Sequence, residues 1–126
     1  MTARSGKRRR RVLVVDDHEM LRSGMTVALT AAGFQVDSAA DGLAALAVVS
    51  QTPPDVVILD LKMPVLDGYA TLARLRADPA TAGIPVVIAT ASETERSHML
   101  AEGAVAFVTK PIDAVQLLRE VSLALG

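Results

Sequence analysis

Four short apolar runs, each ending next to a residue that carries chemistry, constrain this sequence more than any other feature. The runs cover residues 12–15, 56–59, 86–89 and 105–108. After them come Asp16 and Asp17, then Asp60, then Thr90, and finally, beyond Thr109, Lys110. Such runs are typical of strands that are buried on both faces of a parallel sheet. Because ligands bind at the carboxyl ends of these strands, we predict a site at that edge.

The segments between the runs have the spacing of helices. We predict helices at about residues 19–32, 42–50, 69–77, 93–102 and 113–125, and strand four from residue 84. Residues 34–39 alternate apolar and polar side chains, which indicates an edge strand. In the last helix, Val115, Leu118, Val121 and Leu125 are expected to share the buried face. The alternation predicts an α/β fold with a five-stranded parallel sheet and helices on both faces.

The charge of the chain is concentrated at its start. Residues 1–11 contain six of the basic residues and no acid, although the net charge of the whole chain is only −1. An arm that binds nucleic acid or a membrane surface is one interpretation. We favour a solvated, flexible tail, followed by one domain over residues 12–126.

Composition excludes several functions. There is no cysteine, so thiolate metal sites and cysteine nucleophiles are excluded, and a cytoplasmic location is expected. With one tyrosine, two phenylalanines and no tryptophan, the chain has few platforms for stacking bases, and nucleic acid is not an expected partner. No apolar run is long enough to span a membrane.

The motifs at the four strand ends, taken together, resemble the receiver domain of two-component response regulators. They read Val-Val-Asp-Asp-His up to His18, Leu-Asp-Leu-Lys-Met-Pro around Asp60, Ala-Thr-Ala around Thr90 and Thr-Lys-Pro around Lys110. The resemblance covers residues 12–125 and implies a flavodoxin-like (βα)5 three-layer sandwich with strand order 2-1-3-4-5.

A metal site follows from the acids and from the resemblance. Carboxylates clustered at one edge repel each other, and a hard divalent cation with oxygen ligands relieves that repulsion. The resemblance implies Mg²⁺, for which Mn²⁺ can substitute. Its ligands would be Asp17, Asp60 and the backbone carbonyl of Lys62, with Asp16 acting mainly through a metal-bound water. We read His18 as exposed and without a chemical role.

The resemblance makes Asp60 the phosphoacceptor. A carboxylate can attack a phosphoryl group to form an aspartyl-phosphate. Lys110 would supply a cation for one phosphoryl oxygen and Thr90 a hydroxyl for another. Pro111 matches the family's cis-peptide position. Taken one at a time, an aspartate at a strand end, a threonine in a strand or an exposed lysine is ordinary, and only the joint pattern is specific.

The same resemblance implies a switch. Thr90 would move toward the phosphoryl group and Phe107 would swing into the space behind it; alternatively, Phe107 is simply part of the core. The segment from Thr90 to Lys110 is shorter than is usual in the family, which leaves the shape of the signalling face open. Lys62 and Ser92 flank the phosphoryl position and are expected to influence the lifetime of the acyl phosphate.

The leading interpretation is a stand-alone receiver, not a turnover enzyme. It would take a phosphoryl group from a sensor histidine kinase or histidine phosphotransfer protein, signal to a downstream protein and slowly dephosphorylate itself. A receiver fragment of a hybrid histidine kinase or phosphorelay is the alternative. A metal-dependent phosphatase of the haloacid dehalogenase type would need an acid where Lys62 stands. A flavodoxin-like cofactor binder would not carry acids after strand one.

Overall fold

The computed structural model describes residues 9–126. The strands are β1 (Arg11–Val15), β2 (Gln35–Ala39), β3 (Val56–Leu59), β4 (Val86–Thr90) and β5 (Ala106–Thr109). The helices are α1 (Glu19–Ala31), α2 (Gly42–Gln51), α3 (Gly68–Ala77), α4 (Arg96–Ala101) and α5 (Ala114–Leu125), and a 3₁₀ turn (Glu93–Glu95) precedes α4.

The five strands form one parallel sheet in the order β2-β1-β3-β4-β5. The predicted flavodoxin-like architecture is therefore confirmed. β2 lies at one edge of the sheet, as predicted, and only Ala39 of it is buried. Every residue of β3 and β4 is buried, as expected for central strands covered on both faces.

Alternate strand residues point to two separate cores. One core joins Leu13, Leu59 and Ile88 to side chains of α2, α3 and α4. The other joins Val14, Ile58 and Val87 to side chains of α1 and α5. Because the side-chain period of a strand is two residues, this alternation fixes which face each strand residue covers. Both helix layers are thus tied to the same rigid sheet.

Aspartates cap three of the helices. Asp41, Asp67 and Asp113 precede α2, α3 and α5, and their side chains accept hydrogen bonds from backbone N–H groups two or three residues ahead. Such caps satisfy N–H groups that the helix itself leaves free. Asp113 is therefore a cap outside α5 and not, as predicted, a residue of its first turn.

Two helical predictions need correction. In α5, Leu117 and Val121 are the buried residues, whereas Val115 is 71% exposed. The cap at Asp113 sets the start of the helix, and the buried stripe begins at Leu117, two residues later than expected. The segment predicted as one helix over residues 93–102 is a 3₁₀ turn followed by a six-residue α4.

The end of the sheet away from the site is held by Arg76. Its guanidinium donates hydrogen bonds to the carbonyl oxygens of Ala82, Ile84 and Gly103, each at 2.9 Å. These bonds tie α3 to the loop before β4 and to the turn before β5. The sequence offered no signal for this role, because the three partners are backbone atoms.

The start of the described chain differs slightly from the predicted boundary. Most of the basic tail, residues 1–11, falls outside the described residues. Arg11 belongs to β1, where its N–H group donates to Asp55 at 2.7 Å and its guanidinium lies 3.3 Å from Asp37. Within the described residues, none of the helices combines the length and apolar character needed to cross a membrane.

Candidate functional site

The acidic residues after β1 and β3 lie at one edge of the sheet. The N–H group of Asp16 donates to the carbonyl of Ala39 at 3.1 Å, and that of Asp60 donates to the carbonyl of Val15 at 3.0 Å. These bonds continue the sheet pairing by one residue and hold both backbones in place. Asp16 is completely buried and Asp60 is 4% exposed. Two carboxylates at this depth need compensation.

Lys110 supplies that compensation. Its Nζ atom lies 2.8 Å from Oδ2 of Asp16 and 3.0 Å from Oδ2 of Asp60. Only the contact with Asp60 has hydrogen-bond geometry; the contact with Asp16 is an ion pair without it. Burial lowers the pKa of Lys110, but the two carboxylates outweigh this effect and the pKa is raised above its ordinary value.

The other oxygens of the two carboxylates are held by backbone groups. Oδ1 of Asp60 accepts a hydrogen bond from the N–H group of Leu61 at 2.7 Å. Oδ1 of Asp16 accepts one from the N–H group of His18 at 2.8 Å. The acids are therefore oriented from one side by the backbone and from the other by a single ammonium group.

Asp17 and His18 extend the cluster toward solvent. Nδ1 of His18 lies 3.7 Å from Oδ1 of Asp17 and 3.8 Å from Oδ1 of Asp16, and all three residues offer ligand atoms within 4.8 Å of one another. The side chain of His18 is 70% exposed, as predicted. Sequence reasoning gave it no role, although its place after two aspartates was the available signal.

The donor set fits a divalent cation. Among the described residues, Oδ2 of Asp16 is the buried side-chain atom that lacks a hydrogen-bond partner. Its close contact is the ion pair with Lys110, and a buried carboxylate oxygen beside a second acid is a favourable ligand for a hard cation such as Mg²⁺. Asp17, whose side chain is 31% exposed, offers a further oxygen from the solvent side.

A crevice of about 400 Å³ opens over Asp60. It is lined by His18, Leu21, Asp60, Lys62, Thr90, Ala91, Ser92 and Lys110. The N–H group of Lys110 donates to the carbonyl of Thr90 at 2.9 Å, which joins the ends of β4 and β5 beneath it. The predicted residues Asp60, Lys62, Thr90 and Lys110 thus line one small crevice next to Asp16.

A second cavity, of about 300 Å³, lies between α1 and α5 and is mainly apolar. Its lining includes Met20, Met25 and Leu117, together with Pro111 and Ile112. It contains none of the carboxylates or cations described above, so the chemistry is assigned to the crevice over Asp60.

Phe107 and Pro111 lie near the crevice but do not line it. Phe107 is 3% exposed and belongs to the core on the α2–α4 side of the sheet. The peptide bond between Lys110 and Pro111 is cis, the isomer that the resemblance implied. Phe107 pairs with Ile88 in the sheet. Because its ring lies in the core, it does not contact the reactive groups of the crevice.

Two features of the site escaped the sequence reasoning. Gly68, the first residue of α3, lies so close to Asp60 that an added β-carbon would fall 2.7 Å from the α-carbon of Leu61. Val65 has a φ of 71°, which a β-branched residue rarely adopts. Both lie in or next to the loop after Asp60. The close approach of Gly68 depends on a tertiary contact that a pattern of residues does not reveal, and the φ of Val65 has no signal in its residue type.

Comparisons with known proteins agree with this geometry. The family model of the response regulator receiver domain matches residues 12–122. The chain is 42% identical to the response regulator PleD of Caulobacter vibrioides over 88% of its own length and 25% of PleD. It is 36% identical to Protein PilH of Pseudomonas aeruginosa over 92% of its own length and 98% of PilH.

Solved structures give the same picture. The chemotaxis protein CheY4 of Vibrio cholerae superposes with a TM-score of 0.87 at 31% identity, over 94% of this chain and all of that one. The receiver domain of a signal transduction histidine kinase from Syntrophus aciditrophicus gives 0.83 at 32% identity, over 91% and 89%.

The relatives differ in total length. The chain spans a quarter of PleD and 47% of the regulator RpaA of Synechocystis, but nearly all of PilH. Each of the three matches between 88% and 92% of this chain. This chain therefore belongs to the family of response regulator receiver domains.

Proposed function

We propose that this receiver accepts a phosphoryl group on Asp60. The observation that carries the proposal is the shared contact of Lys110 with Asp16 and Asp60 at the base of the crevice. A buried carboxylate beside a fixed ammonium group can act as a nucleophile while the cation receives the developing phosphoryl charge. The donor would be a phosphohistidine on a sensor histidine kinase or histidine phosphotransfer protein.

Each residue of the crevice has a separate part in this proposal. An oxygen of Asp60 attacks phosphorus, the bond from phosphorus to the donor nitrogen breaks, and the histidine leaves with the electron pair. Nζ of Lys110 and the hydroxyl of Thr90 bind two phosphoryl oxygens. Water later hydrolyses the acyl phosphate and restores Asp60. Lys62 and Ser92 stand at the mouth of the crevice and limit the access of that water.

The residues that would hold Mg²⁺ are Asp16, Asp17, Asp60 and the backbone carbonyl of Lys62, and Mn²⁺ can replace it. When bound, this cation would neutralise charge on the phosphoryl group during transfer. The ligand atoms that Asp16 and Asp17 place within 4.8 Å of each other support this assignment. Thr90 and Phe107 form the proposed switch, through which a downstream protein reads the phosphorylated state in the cytoplasm. The protein is then a signalling switch without a turnover substrate.

Incubation with acetyl phosphate and Mg²⁺, followed by intact mass measurement, tests the proposal. We expect wild type to gain one phosphoryl group and Asp60→Asn to gain none. Asp41→Asn is the matched control, because asparagine caps a helix as well as aspartate and this residue lies away from the crevice. An unmodified wild type, or equal labelling of Asp60→Asn, would contradict the proposal.

The alternative of a receiver within a hybrid kinase or phosphorelay has some support from the histidine-kinase receiver of Syntrophus aciditrophicus. Chemistry at Asp60 would be the same, and only the destination of the phosphoryl group would differ. Mixing the labelled protein with purified histidine phosphotransfer domains separates the two cases. Onward transfer to a histidine supports a relay, whereas hydrolysis in place supports a terminal receiver.

A further inference from the structure

We propose that Arg96 holds the ring of Phe107 in its buried position and couples that ring to the loop after Thr90. The guanidinium carbon of Arg96 lies 4.9 Å from the centre of the ring. Its Nη1 atom donates a hydrogen bond to the carbonyl oxygen of Phe107 at 3.3 Å. One residue therefore contacts both the side chain and the backbone at this position of β5.

The guanidinium is itself positioned from the other side. Its Nη2 atom lies 3.5 Å from Oε2 of Glu93, one turn earlier in the chain. The side chain of Arg96 is 45% exposed and that of Glu93 is 70% exposed, so this ion pair alone contributes little. Its effect is to hold the guanidinium over the ring of Phe107, where a cation is attracted to the face of the ring.

The place of Arg96 in the chain gives these contacts a consequence. It is the first residue of α4, and the 3₁₀ turn and the short loop before it connect it to Thr90 at the end of β4. Phe107 pairs in the sheet with Ile88, two residues before Thr90. The ring and Thr90 are therefore linked twice, through the sheet and through Arg96.

The two links differ in stiffness. β4 is buried throughout and the middle of β5 is buried, whereas the 3₁₀ turn has no buried residue and α4 has one, Met99. Movement of Thr90 is consequently transmitted more easily to the loop than to the sheet. A shift of this loop carries Arg96 away from the ring and frees the ring to swing into the space that Thr90 leaves.

This inference rests on the proposed function in one respect, because phosphorylation of Asp60 is the event that would move Thr90. The resting contact does not depend on it. Arg96 is thus a positioning residue for the switch: it shifts the equilibrium of Phe107 between its resting position and the space behind Thr90 without contacting the phosphoryl group.

Fluorine NMR tests the proposal directly. The chain has two phenylalanines, Phe107 and Phe34, and Phe34 packs in the core on the opposite face of the sheet. With 4-fluorophenylalanine incorporated, the unphosphorylated protein should give two resonances, of which Phe34 is an internal reference. The change in chemical shift between H₂O and D₂O reports how far each ring is exposed to solvent.

We expect a negligible solvent shift at Phe107 in wild type and a clear increase, at least about twofold, in Arg96→Ala. Arg96→Lys, which keeps the charge but loses the planar group, should lie in between. Arg119→Ala is the matched control, since it removes an exposed arginine from α5. An unchanged Phe107 resonance in folded Arg96→Ala would overturn the proposal. If Arg96→Ala does not fold, an unchanged resonance in Arg96→Lys would overturn it.

The same samples separate this inference from the proposed function. After treatment with acetyl phosphate and Mg²⁺, a phosphorylated wild type should show a displaced Phe107 resonance, and Arg96→Ala should show a smaller displacement. A protein that is not phosphorylated but loses ring burial in Arg96→Ala contradicts the proposed function alone. If the protein is phosphorylated but the Phe107 resonance is the same in wild type and Arg96→Ala, this inference alone is contradicted.

Discussion

Gly68 packs directly against the backbone of Asp60. The approach leaves no room for a side chain, since a β-carbon at Gly68 would lie 2.7 Å from the α-carbon of Leu61 and closer still to the carbonyl oxygen of Asp60. The N–H group of Gly68 also donates to the carbonyl of Leu61 at 2.8 Å. The start of α3 therefore sets the position of the proposed phosphoacceptor.

Gly68→Ala should displace Asp60 and destabilise the fold. Overpacking of this kind costs about 1–3 kcal/mol of the free energy of unfolding, and phosphorylation by acetyl phosphate should slow markedly. Urea denaturation measures the free energy of unfolding, and mass measurement over time gives the rate of phosphorylation. The control is Gly24→Ala in α1, where a β-carbon meets nothing within 4 Å and the gain in helix propensity should stabilise by up to about 1 kcal/mol. Equal effects of the two substitutions would contradict the steric explanation.

Lys110→Met should make the fold dependent on a divalent cation. Removing the shared ammonium leaves two buried carboxylates unpaired, a change that typically costs about 3–5 kcal/mol. Urea denaturation in EDTA should show this loss, and Mg²⁺ should restore more stability to the variant than to wild type. An identical response of both proteins to Mg²⁺ would mean that the cation does not bind at this cluster.

The ion pair of Lys110 should also give wild type an alkaline limit. Because its pKa is raised in the folded protein, the stabilisation is complete below the ordinary value of 10.5 and disappears as the pH rises through the folded value. Tyr69, whose pKa is raised by burial and by Glu95, adds a loss in the same direction. Tyr69 is present in both wild type and Lys110→Met, so its contribution cancels when the two proteins are compared. The difference in the free energy of unfolding between them should therefore shrink above about pH 10.5, as Lys110 loses its proton. A constant difference would rule out the pairing.

His18 should influence which cation the cluster prefers. Its imidazole lies within 4 Å of oxygens of Asp16 and Asp17, and imidazole favours Ni²⁺ or Zn²⁺ over Mg²⁺. We expect His18→Asn to weaken binding of Ni²⁺ about tenfold and to leave Mg²⁺ nearly unchanged, as measured by titration calorimetry. His98→Asn in α4 is the control for surface histidine binding. Parallel losses for both cations would assign His18 a structural role only.

Val65→Asn should stabilise the protein. Val65 has a φ of 71° and is 72% exposed, so no packing contact compensates for its conformation. Asparagine tolerates the left-handed region, and the gain should be about 1 kcal/mol. Val27→Asn, at a similarly exposed position in α1, should show no such gain. The urea denaturation midpoints of the two variants measure these effects, and an equal change in both would contradict the prediction.

The sequence predicted the sheet because its strands are continuous apolar runs, and strands of this kind have few alternatives. It predicted the site edge because polar residues directly follow those runs. It failed where structure depends on distant backbone atoms, as in the three carbonyls bound by Arg76 and the contact of Gly68 with Asp60. It also failed at Val65, whose positive φ its residue type argues against. It also misjudged α5, where apolar residues outnumber the positions that reach the sheet and Val115 takes an exposed one.

The shared contact of Lys110 with Asp16 and Asp60 has a consequence for metal binding. A lysine shared between two acids already provides part of the positive charge that a dication would bring, so the resting protein is not forced to retain a metal. Affinity for Mg²⁺ should therefore be modest and readily reversible. A phosphoryl group on Asp60 would draw the ammonium toward itself and leave Asp16 more dependent on the dication. The cation would then reside longest on the phosphorylated molecules.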